Sequence, residues 1–408
     1  MAHAEMGPAR GELSSSQGAS RLDWLIQPIR KSDFFRDYWE RSPLVVKRAD
    51  RDYFSSLLSL DEIDRIITTT DIRYPNLTLK NADRTVTADD YTMEGDALDV
   101  AKVYQLYAEG ATITLAYLDT VVPQLTSLCR ALESEFSFPF QANVYLTPAG
   151  AKGAKHHFDS HDVFVLQLLG TKHWTCYGTP VQLPLREQDF DPALHERGEA
   201  SLEFELEPGD IAYVPRGLVH DARSGDKVSL HITLGILTST WADLLRVALA
   251  ERAVSDAALR KALPPGFARQ DFDRADAEKN FNELLARLRE NANLGSALDH
   301  FVDEFLSACP PILRGQLGEI GKLDALRLDT RVAPRPGVLW LLGEREGKTE
   351  IECYGRRITA PEQVSEAVRF AMTQAEFAVR DLPGALDDAG KLALVRRLIR
   401  EGLLETKA

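Results

Sequence analysis

Ala142-Asn-Val-Tyr-Leu-Thr147, Asp162-Val-Phe-Val-Leu-Gln-Leu-Leu169, His173-Trp-Thr-Cys-Tyr177, Leu202-Glu-Phe-Glu-Leu206, Asp210-Ile-Ala-Tyr-Val214 and Val228-Ser-Leu-His-Ile-Thr-Leu-Gly-Ile236 are six short runs rich in β-branched and aromatic residues. Turn residues separate them, and no long helical pattern intervenes. Such spacing predicts an antiparallel barrel or double-sheet jelly roll, not a parallel α/β sheet. With helical segments on both sides, the expected class is α+β.

Seven of the nine histidines fall between residues 156 and 231, inside this β-rich stretch. The sharpest local pattern is His157-Phe158-Asp159. On an extended chain alternate side chains share a face, so His157 and Asp159 point inward together while Phe158 points away. A third ligand is expected from a distant strand, and His220 is suited to it. It closes the segment Glu207-Pro-Gly-Asp-Ile-Ala-Tyr-Val-Pro-Arg-Gly-Leu-Val-His220, in which Pro208-Gly209 makes a turn, Asp210 to Val214 a strand and Pro215 to Gly217 a second bend. Two histidines and one carboxylate occupy one face of an octahedron and leave three positions open, the ligand set of non-haem Fe(II) oxygenases. Zinc prefers a tetrahedral set with more His or Cys. His156, His161, His173, His195 and His231 have no comparable partner set and read as internally hydrogen-bonded residues or substrate contacts.

A 2-oxo acid chelating the iron would leave one position for dioxygen, and its far carboxylate would need a cation inside the barrel. Lys172 is the candidate, against the plainer reading of a solvated strand end. Asn143 and Tyr145, two apart on an earlier strand, add an amide and a phenol from one face. Oxidation of a C–H bond at such an iron centre needs no separate protein acid or base, so no catalytic residue is expected beyond the metal centre.

Outward from the barrel the pattern is helical. Residues 34–42 read as a helix ending before Pro43, Leu44 to Lys47 as a strand, and Ser59 with Glu62 as a capping box. Trp241, Leu244, Leu245, Ala248 and Leu249 follow helical spacing, as do Phe281, Leu284, Leu285 and Leu288, and Leu298, Phe301, Val302, Phe305 and Leu306. These stripes read as core or as a homodimer seam. Two strand-like and two helical segments beyond residue 337 have the order of a small winged-helix-like domain. The expected domains are therefore a disordered lead-in over 1–20, a catalytic domain over 21–240, a helical region over 241–320 and a winged-helix-like domain over 321–408.

The 408 residues carry 48 Lys+Arg against 62 Asp+Glu, and the excess lies in the first 320, which hold 33 against 48. This acidic front suits a basic protein or peptide partner. The near-neutral tail, with only Arg396, Arg397 and Arg400 clustered, argues against DNA binding. No apolar run reaches the roughly 18 residues of a membrane span. Four scattered cysteines and no secretory leader point to the cytoplasm.

Taken together, Asn143-Val-Tyr-Leu-Thr-Pro-Ala-Gly150, His157-Phe-Asp159, Gly170-Thr-Lys-His-Trp174, Pro215-Arg-Gly-Leu-Val-His220 and Ser229-Leu-His-Ile-Thr-Leu234 resemble the JmjC ribosomal oxygenases, cupin-type protein hydroxylases. Phe34-Phe-Arg-Asp-Tyr-Trp-Glu-Arg-Ser-Pro43 resembles their N-terminal helix, and the likeness covers nearly the whole chain. It implies a double-stranded β-helix core with a helical dimerisation region and a winged-helix-like tail. It also implies Fe(II) on His157, Asp159 and His220, and 2-oxoglutarate on Lys172 with Asn143 and Tyr145 nearby. A lysine there is closer to the histidyl-hydroxylating branch than to the arginyl-hydroxylating one. The implied activity is dioxygenase hydroxylation of a His or Arg side chain, most naturally of a ribosomal protein, by a homodimer. Where the animal enzymes read HYDD, Asp159 is followed here by Ser160-His161-Asp162, so His161, Asp162 and His231 are the candidates for substrate contact. Competing readings are a hydroxylase of a natural-product precursor peptide, a metal-dependent cupin isomerase or hydrolase, and a non-enzymatic cupin and winged-helix regulator.

Overall fold

The computed structural model describes Ser14–Ser15, residues 20–345 and residues 347–407. Apart from Ser14–Ser15 and Ser20, the lead-in expected over 1–20 lies outside the described residues; Ser20 caps the first helix by accepting the Asp23 N–H. Elements β1 (Ser14–Ser15), α1 (Arg21–Ile26), α2 (Lys31–Asp37), β2 (Leu44–Val46), α3 (Leu60–Thr69), β3 (Leu77–Lys80), α4 (Val100–Ala108), β4 (Thr112–Leu115) and α5 (Pro123–Phe136) come first. The strands β5 (Phe140–Thr147), β6 (Asp162–Leu169), β7 (Lys172–Cys176), β8 (Leu202–Leu206), β9 (Ile211–Val214), β10 (His220–Ser224) and β11 (Ser229–Ile236) follow.

Seven strands form one sheet in the order β2-β9-β6-β11-β5-β4-β3, and three form another in the order β10-β7-β8. The pairings are antiparallel. Strand β11 runs between β5 and β6, with His231 opposite Tyr145 on one side and Gln167 on the other. Period-two alternation divides the large sheet's faces. Ala142, Val144 and Leu146 of β5, Phe164, Leu166 and Leu168 of β6, and Leu230, Ile232, Leu234 and Ile236 of β11 pack in one core with Leu22, Leu25, Phe34, Ile63, Leu125 and Leu132 of the N-terminal helices. The opposite face carries Tyr145, Val163, Val165, His231 and Thr233 and turns toward the small sheet, lining a cavity with Lys172 and Trp174. This is the α+β jelly-roll architecture that the six runs predict.

Helix α2 ends at Asp37, five residues short of the expected Ser42. Glu40 takes a left-handed φ of 54°, its N–H donates to the Tyr213 hydroxyl, and its carboxylate pairs with Arg216, so tertiary partners stop the helix early. The capping residue Ser59 accepts the Glu62 N–H, as expected.

The chain forms two compact units. One holds residues 13–238, 311–339 and 361–408; besides the barrel it contains α9 (Gln316–Gly321), β12 (Arg331–Pro334), α10 (Ser365–Thr373), β16 (Phe377–Ala378), α11 (Asp388–Arg400) and β17 (Leu404–Thr406). The other holds residues 239–310 with 340–360: α6 (Trp241–Ser255), α7 (Ala275–Asn291), α8 (Leu294–Ala308) and most of the antiparallel run β13 (Leu339–Arg345), β14 (Lys348–Cys353) and β15 (Arg356–Pro361). Residues 321–408 therefore contribute to both units, with most of β13, β14 and β15 in the one that holds α6 to α8 and with α10 and α11 in the one that holds the barrel. Among the described residues no helix is long and apolar enough to cross a membrane.

Candidate active site

Local backbone pairing brings the His-X-Asp segment to His220. His157 and His220 exchange both backbone hydrogen bonds, at 3.1 and 2.8 Å, and the Gly217 N–H donates to the Asp159 carbonyl at 3.0 Å. Gly217 has φ +85°, and a Cβ there would lie 2.3 Å from the Val181 carbonyl oxygen, so the bend delivering His220 needs glycine. Phe158 turns away from the cavity and packs with Tyr177 and Val219.

His157, Asp159 and His220 can place one ligand atom each within 4.8 Å of one another. The Nε2 atoms of His157 and His220 lie 3.8 Å from Oδ1 and Oδ2 of Asp159, respectively. Each histidine sets Nδ1 against a backbone carbonyl two residues earlier, Lys155 at 2.9 Å and Leu218 at 3.0 Å. With Nδ1 donating, each Nε2 presents a lone pair to the centre, the tautomer a metal ligand needs. Burial pushes the Asp159 carboxyl up, but His220, His157, His161 and Lys80 outweigh it and leave it below its ordinary value. An anionic oxygen and two imidazole lone pairs converging on one point fit a divalent cation.

Behind the triad lies a cavity of about 190 Å³. Lys172 is 4% exposed, and its Nζ donates to Thr147 Oγ1 at 2.8 Å. Burial lowers its pKa to about 7. No carboxylate of the described residues pairs with it, so the cavity holds a desolvated cation that an anionic ligand would satisfy. Tyr145 lines the same cavity, and burial pushes its hydroxyl up to about 12.

Other expected residues lie elsewhere. Asn143 is not in the cavity wall; its Oδ1 accepts the Tyr117 N–H at 3.1 Å, which tethers the end of β4. His161 packs against Gly235 and is likewise outside the wall. Asp162 is fully buried on the helix-facing side of β6, accepts the Tyr213 hydroxyl at 2.5 Å and lies 3.8 Å from Arg216 Nε; it is a structural anion, not a substrate contact. His231 is in the wall, but at 3% exposure it is deep and not at the mouth.

Lys80, Thr112, Thr114, Trp174, Asp221 and Thr233 also line the cavity and were not expected there. Trp174 was open to period-two reasoning, since it lies two residues from Lys172 on one strand. Thr112 and Thr114 alternate with Ala111, Ile113 and Leu115, a signal of the same kind in a segment whose strands and helices are interleaved.

Residues 119–244 match the JmjC domain family model. The chain is 31% identical over 354 residues to a Drosophila mojavensis protein named bifunctional lysine-specific demethylase and histidyl-hydroxylase NO66, covering 82% of this chain and 39% of that protein. To Danio rerio Ribosomal oxygenase 1 it is 32% identical over 326 residues, 74% of this chain and 59% of the relative. The chain thus spans less than two thirds of the length of these relatives. Its fold is similar to that of YcfD, a ribosomal oxygenase from Escherichia coli solved in complex with cobalt and 2-oxoglutarate, with a TM-score of 0.53 at 16% identity over 93% of this chain and 99% of that one. The chain therefore carries a JmjC domain and is a homologue of the NO66 and Ribosomal oxygenase 1 proteins.

Proposed function

We propose that the chain is an Fe(II)- and 2-oxoglutarate-dependent dioxygenase that hydroxylates a His or Arg side chain of a protein, a ribosomal protein first among them. The observation that carries this is the pairing, in one cavity, of the His157, Asp159 and His220 triad with the buried, carboxylate-free cation of Lys172. Iron with 2-oxoglutarate and dioxygen supplies the oxidising power for an unactivated C–H bond. The chain's own part is to hold the metal on one face, seat the distal carboxylate on Lys172 beside Tyr145, and exclude water behind β6 and β11. A binding-only cupin accounts for the triad alone and leaves a buried lysine without a purpose.

The dimer and the tail belong to the same proposal. Trp241, Leu245 and Leu249 of α6 and Phe281 and Leu285 of α7 are exposed, and no residue of α7 is buried. A helix presenting its apolar stripe to water calls for a covering partner, and a second copy is the proposed one. A winged-helix-like role for residues 321–408 and a cytoplasmic location, suited to four scattered, buried cysteines, complete the proposal.

The test is to incubate the protein with Fe(II), 2-oxoglutarate and ribosomal proteins of its host, then search tryptic peptides for one added oxygen, with His157→Ala as the blank. One modified His or Arg peptide is the expected result. Succinate above the blank with no modified ribosomal peptide would move the substrate to a dedicated precursor peptide. Neither product from an iron-loaded sample would overturn the enzyme reading.

A further inference from the structure

We infer that Phe190 is a positioning residue for the metal triad: from the side away from the cavity it pins the two backbone segments that carry His157, Asp159 and His220, so that their ligand atoms converge. This rests on the reading of the triad as a metal site. The two segments are joined directly by the His157–His220 bridge and by the Gly217 N–H on the Asp159 carbonyl. Contacts so few leave the ligand side chains room to splay unless the residues beside them are held as well. Alternation turns those residues outward: Phe158 stands between two ligands and Val219 precedes the third. Both are buried, at 4% and 0% exposure.

What covers them belongs to residues 177–201, which join β7 to β8 without helix or strand. A connection of that length is uncommon in a compact domain and calls for a function. It is tied down beside the ligands. Tyr177 donates its N–H to the Val219 carbonyl at 2.7 Å, and the Val219 N–H donates to the Gly178 carbonyl at 3.0 Å. The Arg186 carbonyl accepts the hydroxyl of Ser160, the residue after Asp159, at 3.3 Å. Residues 185–189 and 191–194 are exposed, but Phe190 between them turns inward. Its ring meets Phe158 edge-on at 5.4 Å and 87°, and His156 at 5.7 Å and 83°, so it holds the residue on either side of His157. His195 closes the cluster at 5.6 Å from Phe190 and 5.3 Å from Phe158, its Nδ1 accepting the Asp191 N–H at 3.0 Å. A stretch that only connected two strands would not need an aromatic ring against the one residue between two metal ligands.

The experiment is titration of the full chain with Co(II), followed by the visible absorption of the bound ion, beside thermal melts of the same metal-free samples. Phe190→Ala is expected to weaken Co(II) by about ten- to a hundredfold, the usual effect of removing support behind a ligand, and to change the absorption spectrum. Phe190→Leu, which refills most of the volume, is expected to recover most of the affinity. Phe370→Ala removes another half-buried ring, edge-on to Phe377 at 5.4 Å, and is expected to lower the melting temperature with Co(II) affinity kept. Should Phe190→Ala not fold, Phe190→Val takes its place under the same criteria. Wild-type affinity and spectrum in the truncated variant overturn the inference, and so does an equal weakening in Phe370→Ala, which marks general loosening. If His157→Ala binds Co(II) like the wild type, the metal-site reading falls and this inference with it.

Discussion

Lys172 concentrates the electrostatics of the site in one group. Its folded pKa of about 7 lies below the ordinary 10.5 because burial disfavours the charge. Between those values the unfolded chain holds a proton that the folded chain has released, so stability rises with pH across that window. Below pH 7 the folded state carries the buried charge in full. Lys172→Met is therefore expected to stabilise the ligand-free protein most at pH 6, by a few kcal/mol, and hardly at all near pH 10.5; thermal melts across pH check this. The same proton is taken up when a dicarboxylate binds above pH 7, so 2-oxoglutarate affinity should fall with rising pH in the wild type, and calorimetry in buffers of different ionisation enthalpy reads the uptake. His157 and Asp159 were legible in the sequence because alternate residues of an extended segment share a face, and His220 because it closes a segment bounded by two Pro-Gly bends, whereas Lys172 follows from the cation that a second carboxylate needs inside the barrel. Asp162 was not, since its position beside His161 says nothing of Tyr213 and Arg216, which reach it from distant parts of the chain. Asp162→Ala strands the buried Tyr213 hydroxyl, whose acceptor it is, and should cost about 1–3 kcal/mol in denaturant unfolding, while leaving KM for substrate unchanged.

At the scale of elements, the two bends around β9 do as much for the site as the strands. Gly209 and Gly217 both take left-handed φ, and a Cβ at either would meet a carbonyl oxygen, that of Asp50 at 2.0 Å and that of Val181 at 2.3 Å. Only the second bend leads into a triad residue. Gly217→Ala should therefore cost about 2 kcal/mol or more in stability and also weaken Co(II) binding more than tenfold, whereas Gly209→Ala should cost stability with metal affinity kept; paired denaturation and metal titrations separate the two. Six strands were legible from their apolar content, but β10 was not, because His220-Asp-Ala-Arg-Ser224 has no apolar alternation. It is a strand because β7 pairs with it along its whole length, from His220 opposite Cys176 to Ser224 opposite Lys172. Pairing supplied by a partner strand leaves no trace in the sequence of the strand that receives it.

For the whole molecule, the helical stripes show why periodicity stops short of assembly. The spacing of Trp241, Leu245 and Leu249 fixes a helix and its apolar side, yet a stripe reads the same whether its own chain or another covers it. In the structure Trp241 is 75% exposed and Phe281 59%, whereas Phe305 and Leu306 of α8 are buried. The seventeen residues of α7 bury no side chain, and a helix of that length in water owes little of its stability to propensity alone. A two-fold partner covering α6 and α7 would bury the same residues on both copies, so each substitution acts twice. Trp241→Glu combined with Leu245→Glu is therefore expected to convert a dimer into a monomer in sedimentation equilibrium, with the Co(II) affinity of the triad retained. A wild-type chain that sediments as a monomer at tens of micromolar would remove the second copy as the occupant of this face and leave the stripe to a different protein.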